Sequence, residues 1–436
     1  MTPPLRSERR FSGVSRRNLV LPSWSATFDR PPRGGTDTAR DASDLTASLP
    51  TVVSDGTDCW KGVRRVVVIG VHGWFPNFTA LQKVVGTPRT SGYFCSMMGQ
   101  SVLAAFENAH GVGEDQLDKL TYIPLDGEGS ISERVEKLFK VYLSKPEWVN
   151  DVERADAIFV AAHSQGCIVA AHLLARMIEN GHIHTSQMPR VILSSFCGVH
   201  LGPFYNSATS TVITPYLWFE HPSARELFDF QDTSSRVSED YQSSLRLILD
   251  RGVKVILLAS LDDQMVPIYS ASFSAARHPL LLRALYVDSS ISSSHDFILN
   301  LITLGMMILN AGLDDQGLIS HLSEATAGAW RGVGHSSPYE DPGAYDLAVN
   351  YLLKTSNPGA EPLEVESFGA RDVKNDYELP WILRGVMDDP KVQELFPSEI
   401  KALKDTILSW QPDTRALRDI KRRASRLSQP VLTVHD

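Results

Sequence analysis

The sequence predicts an α/β domain built on a mostly parallel, doubly wound sheet, and three observations carry that prediction. Six short, nearly continuous apolar runs recur between residues 65 and 287, the texture of strands covered on both faces. Helical stretches stand between successive runs, and that alternation is what parallel strands joined by crossover helices require. Hydrophobic residues make up 43% of the 436 positions and charged residues 21%, enough apolar material for a large core.

The elements follow in order. Residues 1–60 are rich in Pro, Ser, Thr, Arg and Gly and read as a flexible N-terminal arm, in which only the run Asn18 to Phe28 is apolar enough to dock. The domain proper is expected over 61–315. Its strands are placed at Arg65 to Val71, Leu120 to Leu125, Ala157 to Ala161, Arg190 to Phe196, Val253 to Ser260 and Arg283 to Val287. Helices are placed at Gly92 to Ala109, Ser132 to Leu143, Gln165 to Glu179, Glu239 to Asp250 and Asp296 to Asn310. The connection after Phe196 is far longer than one crossover helix needs, so 198–252 is expected to hold a cap insertion. Within it Tyr216, Leu217, Trp218 and Phe219 form an aromatic and apolar cluster suited to lining a substrate pocket. Beyond the domain the strand alternation fades, and 316–436 is expected to be a mainly helical C-terminal extension.

Charge and composition exclude several classes. A net charge of −9 argues against a dedicated nucleic-acid binder, which needs a basic face to displace counterions from phosphate. The four cysteines form no CxxC pair and are too sparse for a disulfide scaffold. Phe297 to Leu313 is the most apolar long stretch, but it is shorter than a membrane span and carries Asn300, Thr303 and Asn310, so it is expected to be a buried helix. No apolar signal-peptide core opens the chain, and the expected location is intracellular, in the cytoplasm. Five arginines among the first 17 residues make a mitochondrial address the alternative. No phosphate-binding glycine motif follows a strand, and His182 and His184 lack a third ligand at zinc spacing, so neither a cofactor nor a metal is expected.

The C-terminal end carries a basic amphipathic helix. Leu417, Ile420, Ala424 and Leu427 form one stripe, flanked by Arg415, Arg418, Lys421, Arg422, Arg423 and Arg426. Such a helix suits peripheral contact with an anionic membrane, or docking on the acidic body of the same chain, and the charge asymmetry favours docking. Oligomeric state is left open.

The chemistry concentrates at the ends of the strands. The run Ala157 to Ala161 leads through Ala162-His163-Ser164-Gln165-Gly166 straight into a helix. A strand-to-helix turn this sharp strains its central residue and demands small neighbours two positions away on either side. Ala162 and Gly166 meet that demand, which makes Ser164 the expected nucleophile and the Gln165 N–H an oxyanion donor at a helix N-terminus. The first strand ends in His72-Gly73-Trp74, and the Trp74 N–H is the expected second donor, with His72 packing and bonding the loop. Beyond the fifth strand stand Asp262 and Asp263. Asp263 fits the D-x-x-V-P spacing as the orienting acid, with Asp262 as the fallback. His295 follows the last strand and a serine-rich loop, and is the expected general base.

Ser164, Asp263 and His295, in that chain order and each after a strand, resemble the catalytic triad of the α/β-hydrolase superfamily. The resemblance covers about residues 60 to 313 and implies the α/β-hydrolase fold. Ala162 departs from it, standing where the superfamily more often has glycine. The Asn-Leu-Val-Leu-Pro-Ser run of the arm and Leu379-Pro380-Trp381 also resemble a group of fungal α/β-hydrolase proteins, a likeness that implies no particular chemistry. The function so implied is a serine esterase or lipase that cleaves a carboxylic ester or lipid acyl ester through an acyl-enzyme. The alternatives are a non-catalytic binding or lipid-handling member of the fold, and a thioesterase, acyltransferase or peptidase using the same triad.

Overall fold

The structure is a computed structural model that describes residues 18–28, 49–53, 59–74, 90–111, 117–184, 190–204, 222–289, 297–326, 334–359, 361–372, 378–412 and 415–424. In chain order the elements are β1 (Leu19–Leu21), α1 (Trp24–Phe28), β2 (Arg65–Val71), α2 (Ser91–His110), β3 (Lys119–Leu125), α3 (Ile131–Leu143), α4 (Pro146–Glu153), β4 (Ala157–His163) and α5 (Gln165–Glu179). They continue with β5 (Arg190–Phe196), α6 (Pro222–Asp229), α7 (Arg236–Asp250), β6 (Lys254–Ser260), α8 (Ile268–Ala271), β7 (Ala276–Arg277), β8 (Leu281–Val287), α9 (Phe297–Asn310) and α10 (Leu318–Thr326). The last are α11 (Pro342–Lys354), β9 (Glu364–Val365), α12 (Leu379–Asp388), α13 (Pro390–Leu395), α14 (Pro397–Ser409) and α15 (Arg415–Ala424).

Seven strands form one sheet in the order β1-β8-β6-β5-β4-β2-β3. All neighbours are parallel except β1, which pairs antiparallel with β8. The apolar runs expected as strands are these strands, and because both faces are covered every residue of β4, β6 and β8 is buried. One face, carrying Val66, Val68, Phe159, Ile192 and Ile256, packs on Phe94, Met98 and Val102 of α2 and on Tyr345, Ala348 and Leu352 of α11. The other, carrying Val67, Ile69, Ile158, Val160 and Leu257, packs on α3, α5, α7 and α9. Fully burying one such aliphatic side chain contributes about 1.5–3 kcal/mol, so the two faces together can hold a strained turn at the sheet edge.

Two features go beyond what local pattern predicts. Leu19–Leu21, part of the run expected only to dock, adds an antiparallel edge strand to β8, and Asn18 holds both the Asp341 carboxylate (2.8 Å) and the Ser289 N–H (3.0 Å). Residues 342–354, within the expected C-terminal extension, form α11 on the sheet's own face. Lys254, buried in β6, donates from Nζ to the carbonyl and hydroxyl oxygens of Thr355 (both 2.7 Å) and to the Tyr351 carbonyl (3.1 Å), capping the C-terminal end of α11. The opposite end of α11 faces the site.

Inside the stretch expected to be a cap, α7 packs on α5 as an ordinary crossover helix, burying Tyr241, Leu245 and Ile248. Tyr216, Leu217, Trp218 and Phe219 lie outside the described residues. Among the described residues, no helix is long and apolar enough to cross a membrane. The expected buried helix is α9, whose apolar residues are inside.

Candidate active site

The strand order reverses at β2, because β3 lies on one side of it and β4 on the other. A crevice opens at the C-terminal ends of strands at such a point, and both the β2 loop and the β4 turn stand there.

Ser164 is the turn between β4 and α5, with φ 56° and ψ −127°. A serine held there costs about 1–3 kcal/mol, a strain that persists only where the surroundings impose it. They do: the Ser164 N–H donates to the Phe196 carbonyl of β5 at 2.9 Å, and the loop after β2 presses on the turn from the other side. A Cβ on Gly166 would stand 2.3 Å from the His72 carbonyl oxygen, and one on Gly73 would stand 3.1 Å from Ser164 Cβ. Glycine at both positions is what lets the two chain segments touch. Ala162 fits because it is wholly buried within β4 and needs no unusual backbone freedom.

Trp74 follows this contact directly and is buried, and Gln165 opens α5. His72 is buried and accepts the Gly127 N–H on Nε2 at 2.8 Å. Burial, and then the Arg134 charge, lower its pKa to about 4, so it is neutral at pH 7. That is the packing and loop-bonding role expected of it.

Asp263 stands in the turn after β6. Its Oδ1 accepts the N–H groups of Met265 (2.8 Å) and Val266 (3.0 Å), and its Oδ2 meets Nδ1 of His335 at 2.7 Å. Both residues are buried. Asp262 instead accepts from the Ser260 hydroxyl at 3.1 Å and lies against Gly334, and burial raises its pKa. Of the two acids, the structure brings Asp263 to an imidazole.

That imidazole is not the one expected from the sequence. His295 lies outside the described residues, whereas His335, in the turn ahead of α11, holds the Asp263 carboxylate. With Nδ1 so engaged, His335 presents Nε2, which is buried and has no hydrogen-bond partner among the described residues. Its loop is tied to the serine turn: His163 Nε2 meets the His335 carbonyl oxygen at 2.8 Å, and the two rings lie 4.5 Å apart. A carbonyl only accepts, so His163 carries its proton on Nε2. Burial is the first cause holding its pKa well below the usual imidazole value. The signal for His335 was present in Gly334-His335-Ser336-Ser337-Pro338, a turn ahead of a helix whose Ala344, Tyr345, Ala348, Val349 and Leu352 repeat at helical spacing.

One trio of metal-type donors occurs among the described residues: Cys197, Asp263 and His335, within 4.8 Å of one another. Burial and the Asp263 charge push the Cys197 thiol well above its usual value, so it is a protonated thiol. Metal ligation needs the thiolate. With Asp263 and His335 already bonded to each other, the donor set suits an acid–imidazole pair better than an ion. The cysteines are free.

Residues 52–390 match the model of the YMC0/YMC35 alpha/beta hydrolase domain. The chain belongs to this alpha/beta hydrolase family. The turns after β2 and β4 thus lie in a hydrolase-type domain. No curated protein matches the chain. Two solved structures of phospholipase PlaB from Legionella pneumophila are similar to it. The one in complex with thio-NAD is 15% identical, with a TM-score of 0.28 over 46% of this chain and 38% of that one. The other is 13% identical, with a TM-score of 0.30 over 49% of this chain and 46% of that one. The chain thus spans less than half the length of either phospholipase chain.

Proposed function

We propose that this alpha/beta hydrolase domain is a serine hydrolase that cleaves a carboxylic ester or a lipid acyl ester. Ser164 Oγ attacks the ester carbonyl while His335 Nε2 takes its proton, and Asp263 holds the imidazole with the proton on Nδ1 and steadies the imidazolium that forms. The Trp74 and Gln165 N–H groups receive the charge on the former carbonyl oxygen. The tetrahedral intermediate expels the alcohol, which takes its proton from His335. Water then attacks the acyl-enzyme by the same steps in reverse order, releasing the acid and restoring Ser164.

The observation that carries this reading is the 2.7 Å contact between His335 Nδ1 and Asp263 Oδ2, both buried, with Nε2 left without a partner among the described residues. One nitrogen bonded to a carboxylate and the other left unengaged is the arrangement a general base requires. The strained Ser164 turn, held by groups from β2 and β5, supports it. The test is hydrolysis of a short p-nitrophenyl ester by the full chain and by Ser164→Ala. A loss of at least about 10⁴ in turnover with an unchanged melting temperature is expected. Wild-type turnover by Ser164→Ala would remove Ser164 from the chemistry.

A further inference from the structure

Arg134 is a charged side chain that is entirely buried. It sits one turn into α3, a helix whose start is fixed by a capping box: Ser130 Oγ accepts the Glu133 N–H, and the Glu133 carboxylate accepts the Ser130 N–H. The Ile131 N–H is taken by the Glu226 carboxylate at 2.8 Å. No acid within salt-bridge distance of Arg134 occurs among the described residues. Burying a guanidinium without an ion-pair partner costs several kcal/mol, and a chain keeps one where its fork geometry is needed.

Two hydrogen bonds from that fork join the two halves of the site. Nη1 donates to the side-chain oxygen of Gln165 at 2.7 Å, and Nη2 donates to the backbone carbonyl of His72 at 2.5 Å. Gln165 is the first residue of α5. His72 begins the His72-Gly73-Trp74 segment. These are the two chain segments whose N–H groups, at Gln165 and Trp74, receive the oxyanion in the reaction proposed above.

We infer that Arg134 is the positioning residue of the oxyanion hole, its guanidinium fastening the β2 loop to the start of α5 so that the Trp74 and Gln165 N–H groups converge. The inference rests on the serine-hydrolase reading. The His72 carbonyl fixes the peptide plane immediately before the one that carries the Trp74 N–H. The same carbonyl oxygen occupies the space beside Gly166 where a Cβ would stand. Arg134 therefore sets the distance between the two donors without touching substrate, and its buried charge favours negative charge developing nearby. Because the hole matters most when the carbonyl becomes an alkoxide, loosening it lowers kcat and leaves ground-state binding nearly intact.

The test compares wild type with Arg134→Lys, which keeps a cation and loses the fork. Expected are a kcat lower by roughly tenfold to a hundredfold, as for a small misplacement of a catalytic group, and a KM within about twofold. Affinity for a trifluoromethyl ketone, whose adduct with Ser164 mimics the tetrahedral oxyanion, falls in step with kcat. A folded Arg134→Lys with unchanged kcat, or a loss confined to KM, overturns the positioning role and leaves the hydrolase reading standing. A wild type that neither hydrolyses esters nor binds the ketone overturns both. Should Arg134→Lys fail to fold, Gln165→Met removes the acceptor of Nη1 and keeps the backbone donor. The same fall in kcat and ketone affinity supports the role, and wild-type values overturn it.

Discussion

The ring of His163 and the backbone of His335 are joined by a 2.8 Å hydrogen bond between residues 172 positions apart. The residue immediately before the serine turn thus fastens the loop that brings an imidazole to Asp263. Two chain segments with no local relationship become one unit, and the positions of Ser164 and His335 are set together. Replacing His163 by Ala removes the donor and leaves the His335 carbonyl buried and unpaired, at a cost of about 1–3 kcal/mol. The expected outcome is a lower urea midpoint together with a fall in kcat larger than the folded fraction accounts for. Unchanged turnover per folded molecule would mean that the loop keeps its place without His163.

The two imidazoles offered by sequence and structure can be separated directly. His335→Ala should lower ester turnover by about 10⁴ or more, and Asp263→Asn by about 10³ or more, because the asparagine leaves the imidazole in the wrong tautomer. His295→Ala and Asp262→Asn should each change it by far less. The reverse order for the histidines, measured as initial rates on one ester, would return the base to His295.

Stability should fall in mild acid. His200 is buried between Ser195 Oγ (2.8 Å) and the Tyr241 hydroxyl (2.7 Å), and burial, followed by the Arg283 charge, lowers its pKa to about 3. His72 is lowered to about 4. In the unfolded chain both titrate near 6.5, so below that pH the unfolded state binds protons that the folded state refuses. The stabilisation is complete above pH 6.5 and drains away as pH falls toward 4, by about 1.4 kcal/mol per pH unit for each histidine. Urea titrations at pH 7, 6 and 5 should show falling midpoints, with a shallower fall in His200→Gln. Equal midpoints at pH 7 and 5 would contradict neutral burial of these rings.

The basic C-terminal helix has a testable role inside the protein. In α15, Leu417 and Ile420 are buried, and the helix packs on α10 and α12. Lys421 donates to the Trp410 carbonyl. Two buried aliphatic side chains contribute about 3–6 kcal/mol at most by area. Deleting residues 414–436 should therefore lower the melting temperature. It should leave sedimentation with phosphatidylserine vesicles as it is. Loss of vesicle binding with no change in melting temperature would assign the stripe to a membrane instead.

Most of the sheet was legible because its strands are buried on both faces and need no partner information to be recognised. Arg65–Val71, Arg190–Phe196 and the helix Gln165–Glu179 have the expected bounds. β1 was not legible as a strand, since three residues acquire strand geometry only by pairing with β8. Ser164 and Asp263 were visible because each stands directly after a buried strand. The turn at 334–338 marks a loop ahead of a helix, but α9 and α10 come between β8 and that loop, so no strand end ties His335 to Asp263 in the sequence. Arg134 reads in the sequence as one more charge on an amphipathic helix, and only the fold shows that it points inward.

The central claim is that Ser164 is made nucleophilic by His335. A fluorophosphonate probe reacts with an activated serine and forms a stable adduct that peptide mass spectrometry can locate, and its rate is measured on wild type and His335→Ala. The account predicts a single adduct on the peptide carrying Ser164 in wild type, formed at least about a hundredfold more slowly in His335→Ala. No adduct on Ser164, or one formed equally fast without His335, would contradict it.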